Sequence, residues 1–359
     1  MLNAGWNTML GLRKPKSVVG LDIGSSAVKA VELHSSGKGY RVAAIASEPI
    51  PPECIVDGAI VDGGAVADAI RRLFANKGFK TKEVAASLSG NAVIVKKISL
   101  PIMTAKELSD NIAWEAEQYI PFDIQDVNID YQVIESGADG ARSTMDVLLV
   151  AAKKDKIADY TNVITEAGRQ AVVIDVDAFA LQNAYEANYG AGPAVVVLLN
   201  AGASATNVNI IANGQSLFTR DLSIGGNAYT EAVQRELNLP FDVAELAKKG
   251  VQVDGHTFDD VKPVLHAVTE NLLLEIQKTF DFFKATAASD RIDSIVLSGG
   301  ASVVDGFAHS LAERFGFSVE HFDPFREVAF DGVPAGDIAD LAATAGVAVG
   351  LALRKAGDR

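Results

Sequence analysis

The chain has 359 residues, with 46 acidic against 32 basic side chains and a formal net charge of −14. That balance argues against a nucleic-acid-binding role, because phosphate backbones are met by a basic face, and the length predicts two or three domains. A hydrophobic content of 48% with 22% charged residues fits a well-packed globular protein, while the lone Cys54 excludes a disulfide framework within the chain and reads as a small buried apolar residue in a reducing cytosol.

No apolar run approaches the ~18 residues needed to cross a bilayer, so no transmembrane segment is expected. Residues 1–17 read as an N-terminal tail. Leu2, Trp6, Met9 and Leu10 share one helical face ahead of Arg13, Lys14 and Lys16, the pattern of a short interfacial helix. So short a helix is marginal alone, and a loose tail is the simpler expectation. Residues 18–33 predict a β-hairpin around Gly24-Ser25-Ser26, and 40–49 a third strand. Residues 65–77 predict an amphipathic helix burying Val66, Ala69, Ile70, Leu73 and Phe74.

Residues 91–100 alternate as a strand, Pro101 stops it, and Thr104-Ala105-Lys106-Glu107 spells a capping box for a helix running to Tyr119. Strands at 127–135 and 144–152 and a helix at 155–167 complete a small α+β module set into the first lobe. That lobe resumes with a strand at 171–177 and a helix through Tyr185, and 190–193 is the expected linker. Helices follow at 227–237 and 264–283, the latter with a core stripe of Leu272, Leu273, Ile276, Phe280 and Phe283. A buried strand at 292–297 leads to Ser298-Gly299-Gly300. A last helix carries Ala342, Ala345, Gly346, Val349 and Gly350, small residues that permit close packing.

One stretch occurs twice. Residues 18–29 return as 196–207, with Asp22 over Asn200, Gly24 over Gly202, Ser26 over Ser204 and Lys29 over Asn207, all 178 positions apart (200 less 22). Half the chain length separates the copies, so the protein reads as two similar lobes. Each copy is a β-branched run, a Gly/Ser turn and a return strand. Glycine lets backbone N–H groups approach a phosphate, and Ser25 and Ser26 add hydroxyls. Asp22 suits a magnesium ion held through water. Lys29 suits charge developing on phosphate. One copy alone would read as an ordinary hairpin beside a solvated lysine; duplication reverses that preference. Gly299-Gly300-Ala301, at a strand end, would let a flat or charged ligand approach.

These elements, in this order, resemble the actin-like ATPase superfamily. More narrowly, the chain is similar to the PilM family, the actin-like, FtsA-related proteins of type IV pilus assembly. The likeness rests on Glu115-Ala116-Glu117-x-Tyr119-Ile120-Pro121-Phe122, on 175–180, on Glu275-Ile276-Gln277 with Phe282-Phe283, and on 348–354. It implies a two-lobed α/β fold of duplicated RNase H-like lobes with an inserted small α+β subdomain, as in FtsA. Subdomain 1A would take 18–91 and 169–193, 1C 92–168, 2A 194–224 with 291–359, and 2B 225–290.

The resemblance further implies ATP (or ADP) with Mg²⁺ between the lobes. Asp22, Gly24, Ser25, Ser26 and Lys29 match the first phosphate loop; Asn200, Gly202, Ser204 and Thr206 match the second. Gly299, Gly300 and Ala301 match the adenosine loop, Gly226 lies near the ribose, and Glu245 and Lys248 reach ribose and adenine. Without that family, Glu245 and Lys248 would be an exposed ion pair one helical turn apart. Asp177 matches an acidic position that orients metal and water, and joins Asp22 as a metal ligand through water. Asp175, two residues away, would share its face on a regular strand. The implied partner is the cytoplasmic N-terminal tail of PilN in the 1A/1C cleft, alongside other pilus platform proteins and motor ATPases. Localisation would be cytoplasmic, peripheral at the inner membrane through that partner.

Asn200 stands where the second phosphate loop usually opens with aspartate. An amide hydrogen-bonds water or phosphate but supplies neither anionic charge nor a base. Binding is expected with slow or no hydrolysis, and Asn200→Asp is the substitution expected to raise turnover. Two rivals share the architecture. A small-molecule (sugar-type) kinase would consume ATP faster with a sugar; an FtsA-like filament-forming protein would sediment with nucleotide. The related component of a secretion platform is a third, marked by a transmembrane segment.

Overall fold

A computed structural model describes residues 17–37, 39–75, 78–136, 144–286, 291–330 and 335–358. The helical pattern at Leu2, Trp6, Met9 and Leu10 lies outside them. The β-branched run opens the first sheet as β1 (Val19–Ile23), which turns at Gly24 into β2 (Ala27–Ser36) and then β3 (Gly39–Pro49). A two-residue hairpin, β4 (Ile55–Val56) and β5 (Ala59–Ile60), leads to α1 (Gly63–Ala75) and β6 (Glu83–Leu88). Helix α1 buries the expected face, Val66, Ala69, Ile70, Leu73 and Phe74, against this sheet.

The module follows as β7 (Val93–Pro101), α2 (Ala105–Glu117), β8 (Val127–Ser136) and β9 (Thr144–Lys153), a three-stranded antiparallel sheet in the order β7-β9-β8. Thr104 caps α2 as its sequence specifies: its side chain accepts from the Glu107 N–H, and the Glu107 carboxylate accepts from the Thr104 N–H at 2.7 Å. The module has its own core around Leu100, Leu108, Ile112, Val147 and Leu149. Helix α3 (Lys154–Glu166), expected to belong with it, packs elsewhere. Tyr160, Val163 and Ile164 enter the core beneath α1, because the apolar face of α3 meets α1 and the returning strand β10 (Gln170–Val176). Helix α4 (Asp177–Tyr189) closes the first half.

The second half repeats the plan. Strands β11 (Val196–Ala201), β12 (Thr206–Ala212) and β13 (Gln215–Leu222) form an antiparallel meander. Three helices follow: α5 (Gly226–Leu237), α6 (Phe241–Lys248) and α7 (Phe258–Thr286). Helix α7 begins upstream of Pro263, six residues before the start expected at Val264. Asp260 closes its first turn, accepting from the Thr257 N–H at 2.8 Å, and Pro263 falls near enough to the N-terminus to be carried. Then come β14 (Ser294–Ser298), α8 (Phe307–Phe315), β15 (Ser318–His321), β16 (Val328–Phe330), α9 (Ala335–Leu341) and α10 (Gly346–Ala352). The single last helix expected from Ala342 onward is broken: Ala342 to Thr344 is a 3₁₀ turn between α9 and α10.

The duplication is topological. The first sheet runs β3-β2-β1-β6-β10 and the second β13-β12-β11-β14-β15. In each, the first three strands pair antiparallel and the last two join parallel. Strand β16 adds to the outer edge of the first sheet beside β3. Helices α4 and α10 are packed with apolar residues of both sheets, Val31 and Val42 from one and Val196, Leu198 and Val296 from the other. Their contact is close because α10 carries glycine: a Cβ on Gly350 would stand 1.7 Å from the Ala180 carbonyl oxygen. The two repeated turns therefore open at the same end of neighbouring sheets.

Candidate functional site

In the first copy, Asp22 and Lys29 are directly opposed in the β1–β2 ladder, and their side chains pair at 2.8 Å with both largely buried. Gly24 closes the turn by donating to the Ala27 carbonyl. A Cβ there would meet that oxygen at 3.2 Å and the Lys29 Nζ at 3.4 Å. In the second copy, Gly202 donates to the Ala205 carbonyl in the same way, and a Cβ would meet it at 3.0 Å. The two turns meet: Ser25 Oγ lies 2.7 Å from Ser204 Oγ. Ser26 is exposed. Thr206 is fully buried with its hydroxyl donated to the Ile224 carbonyl, so it braces the turn rather than lining the cleft.

The charge at position 22 is answered in the second copy by amides. Asn200, opposite Asn207, donates from Nδ2 to Asn207 Oδ1 at 3.1 Å. Gly299, with φ of +90°, leaves no room for a side chain: a Cβ would lie 2.3 Å from the Ala201 carbonyl and 2.7 Å from Asn200 Oδ1. Gly300 and Ala301 follow in a 3₁₀ turn.

Gly226, Ala301, Lys248 and Gly202 converge. A Cβ on Gly226 would touch Ala301 Cβ at 3.5 Å, Lys248 Nζ at 3.6 Å and the Gly202 carbonyl at 3.7 Å. Lys248 pairs with Glu245 at 2.5 Å on α6, and Thr230 on α5 sits between them, donating to Glu245 at 2.5 Å and accepting from Lys248 at 2.9 Å. Lys248 also donates to the Gly226 carbonyl. Burial raises the Glu245 carboxyl, but hydrogen bonds from Lys248 and Thr230 outweigh it and hold the group below its usual range. For Lys248, lost water outweighs the attraction of Glu245, and its ammonium is pushed down. The pair is thus a held, half-buried cluster and not a surface contact.

Asp177 opens α4 and accepts from Ser87 Oγ at 2.5 Å. Burial, then the charge of Asp22, pushes it up to about 6 against hydrogen bonds from Ser87 and Ser89. Asp175 does not share its face. The strand ends at Val176, and Asp175 turns to Arg354 at 3.3 Å, tying β10 to the C-terminal segment. Sequence reading missed Thr230, Ser87, Asp221 and Gly225; a Cβ on the last would sit 2.6 Å from the Ala203 carbonyl. Asn207, missed as well, did carry a signal: its place over Lys29 in the repeat.

Two lobes of one topology, each ending in a glycine turn at a shared cleft, define the actin-like ATPase fold. MreB5 of Spiroplasma citri, solved with AMPPNP, has this fold at a TM-score of 0.52 and 13% identity, over 94% of this chain and 95% of that one. The family model described as type IV pilus assembly protein PilM matches residues 20–356, and the chain belongs to that family. A solved PilM–PilN type IV pilus biogenesis complex matches at a TM-score of 0.82 with 30% identity, over 95% of this chain and 99% of that one. The cell division protein FtsA of Streptococcus pneumoniae serotype 2 (strain D39 / NCTC 7466) is 25% identical over 352 residues, 85% of this chain and 75% of FtsA. Among the described residues, no helix is long and apolar enough to cross a membrane.

Proposed function

We propose that this protein binds ATP or ADP with Mg²⁺ between its two glycine turns and acts as a cytoplasmic scaffold of the type IV pilus platform. The observation that carries the reading is the meeting of the turns at Ser25 and Ser204. The residues suit the ligand. Gly24 and Gly202 leave a cradle that a Cβ would fill, and Lys29 brings a cation to the same end. Asp22 and Asp177 would hold Mg²⁺ through water, and the bound ion would neutralise phosphate charge. Gly299, Gly300 and Ala301 would receive the base; Gly226, Glu245 and Lys248 would receive the ribose side. Asn200 offers no base, so turnover is slow or absent.

The family and the PilM–PilN complex support the N-terminal tail of PilN as partner, bound beside the module, which would hold the protein at the inner membrane. On this reading the module from β7 to β9, without α3, serves as the partner-binding subdomain and 225–290 covers the nucleotide. Calorimetric titration of ATP with Mg²⁺ tests the first half. Wild type should bind and Asp22→Ala should lose most of its Mg²⁺ dependence; no uptake of ATP or ADP by wild type refutes it. Pull-down with a PilN tail peptide, with and without ATP, tests the second. Mg²⁺-dependent phosphate release at ordinary enzyme rates would contradict the scaffold reading.

A further inference from the structure

The surroundings of Asn200 specify which way its amide is turned. The β-ladder sets Asn200 opposite Asn207 and Asn207 opposite Asp221. The side chains follow the same path: Asn200 Nδ2 donates to Asn207 Oδ1 at 3.1 Å, and Asn207 Nδ2 donates to Asp221 Oδ1 at 2.7 Å. The other Asp221 oxygen accepts from the Gly90 N–H of the first lobe at 2.6 Å. An ionised carboxylate only accepts. Asn207 must therefore turn its nitrogen to Asp221 and its oxygen to Asn200. Asn200 must then donate with its nitrogen, which leaves its own oxygen on the side of Gly299, within 2.7 Å of where a Cβ on Gly299 would stand.

The first copy solves the same position differently. Asp22, an acceptor, faces Lys29, a donor, at the equivalent register. Carboxylate with ammonium and amide with amide are two self-consistent pairs. A carboxylate at 200 facing Asn207 is neither, since Asp221 holds the Asn207 oxygen toward it.

We infer that Asp221 is a positioning residue of the cleft, acting through Asn207 to make Asn200 present a carbonyl oxygen rather than an NH₂ group to the ligand. This rests on the nucleotide reading above. An acceptor at that point takes a hydrogen bond from water on a hydrated cation and opposes a bare phosphate oxygen. Asp221 thereby favours the metal-bound nucleotide. Against the expectation drawn from the sequence, Asn200→Asp alone should not raise turnover, because a carboxylate at 200 also needs a donor opposite it, as in Asn200→Asp with Asn207→Lys.

The test has two arms. In the first, urea unfolding without nucleotide compares wild type, Asn200→Asp and Asn200→Asp/Asn207→Lys. The single variant should unfold at lower urea and the double variant should regain most of the loss. A single variant as stable as wild type overturns the relay. In the second arm, ADP affinity is measured with and without Mg²⁺ for wild type and Asp221→Asn. An asparagine at 221 can keep the Gly90 contact while donating to Asn207, which reverses the chain. The Mg²⁺ enhancement should then fall about tenfold, as a favourable hydrogen bond becomes an unfavourable one. A brace without polarity would leave that ratio unchanged, and an unchanged ratio overturns the inference. Wild type that binds no ADP in either condition refutes the nucleotide reading, while the urea arm still decides the relay.

Discussion

Ser25 Oγ and Ser204 Oγ lie 2.7 Å apart, so the two copies of the repeated turn are hydrogen-bonded across the cleft. The partner of Ser204 is Ser25 and not Ser26, its counterpart in the repeat. A triphosphate gripped by both turns would have to come between these hydroxyls. Cysteines at both positions should therefore oxidise readily to a cross-link, and ATP with Mg²⁺ should slow the reaction. The cross-linked protein should bind no nucleotide and recover binding on reduction. Mobility on non-reducing gels with and without ATP reads the first outcome, calorimetry the second. Oxidation at the same rate with saturating ATP would place the ligand elsewhere.

Gly350→Ala tests how the lobes are held together. The added methyl would fall 1.7 Å from the Ala180 carbonyl oxygen of α4, and backbone cannot swing aside. Gly20 is under the same restriction from the other side: a Cβ there would stand 2.0 Å from the Ala348 carbonyl oxygen. Overpacking of this kind costs about 3 kcal/mol, and it should appear as a lower urea midpoint for either variant. Gly78→Ala is not a suitable control, since Gly78 adopts positive φ; Gly192, with open space around it, is.

Much of this architecture was legible because the repeat reports topology directly. A β-branched run, a glycine turn and a return strand, found twice at half the chain length, implied two like sheets, and the ladders have that order. Capping of α2 was readable because a capping box is local. What stayed hidden depends on contacts distant in sequence. The apolar face of α3 looks the same whether it covers the module or α1. The strand that carries Asp175 ends one residue early, and no local pattern marks that end. Asp221 reads as an ordinary strand residue until β13 is laid beside β12 and Gly90 is brought up from the other lobe.

Asp177 gives a pH signature. Its carboxyl is raised from an ordinary 3.8 to about 6, by burial first and the charge of Asp22 second. A raised carboxylate binds its proton more readily folded than unfolded. Folding stability therefore falls as pH climbs from about 4 to about 6, and the full cost, on the order of 3 kcal/mol at most, is present above that window. Asp177→Asn keeps an acceptor for Ser87 and removes the charge. At pH 7.5 the variant should be more stable than wild type in urea, and the gap should close by pH 4. A gap independent of pH would mean that Asp177 is not under this strain.

Thr230 is the remaining test of the cluster beside Gly226. It is fully buried, and its hydroxyl joins Glu245 to Lys248. Thr230→Val keeps the shape and deletes the hydroxyl, leaving a carboxylate and an ammonium each short of one partner. A loss of about 1–2 kcal/mol in stability follows from a hydrogen bond removed beside charged groups. If Glu245 and Lys248 meet the ribose side of a nucleotide, ATP affinity should fall about fivefold as well, because their positions are no longer fixed. Thr230→Ser should restore both. A valine variant that is less stable yet binds ATP as tightly as wild type would confine this cluster to a structural role and move the sugar away from α6.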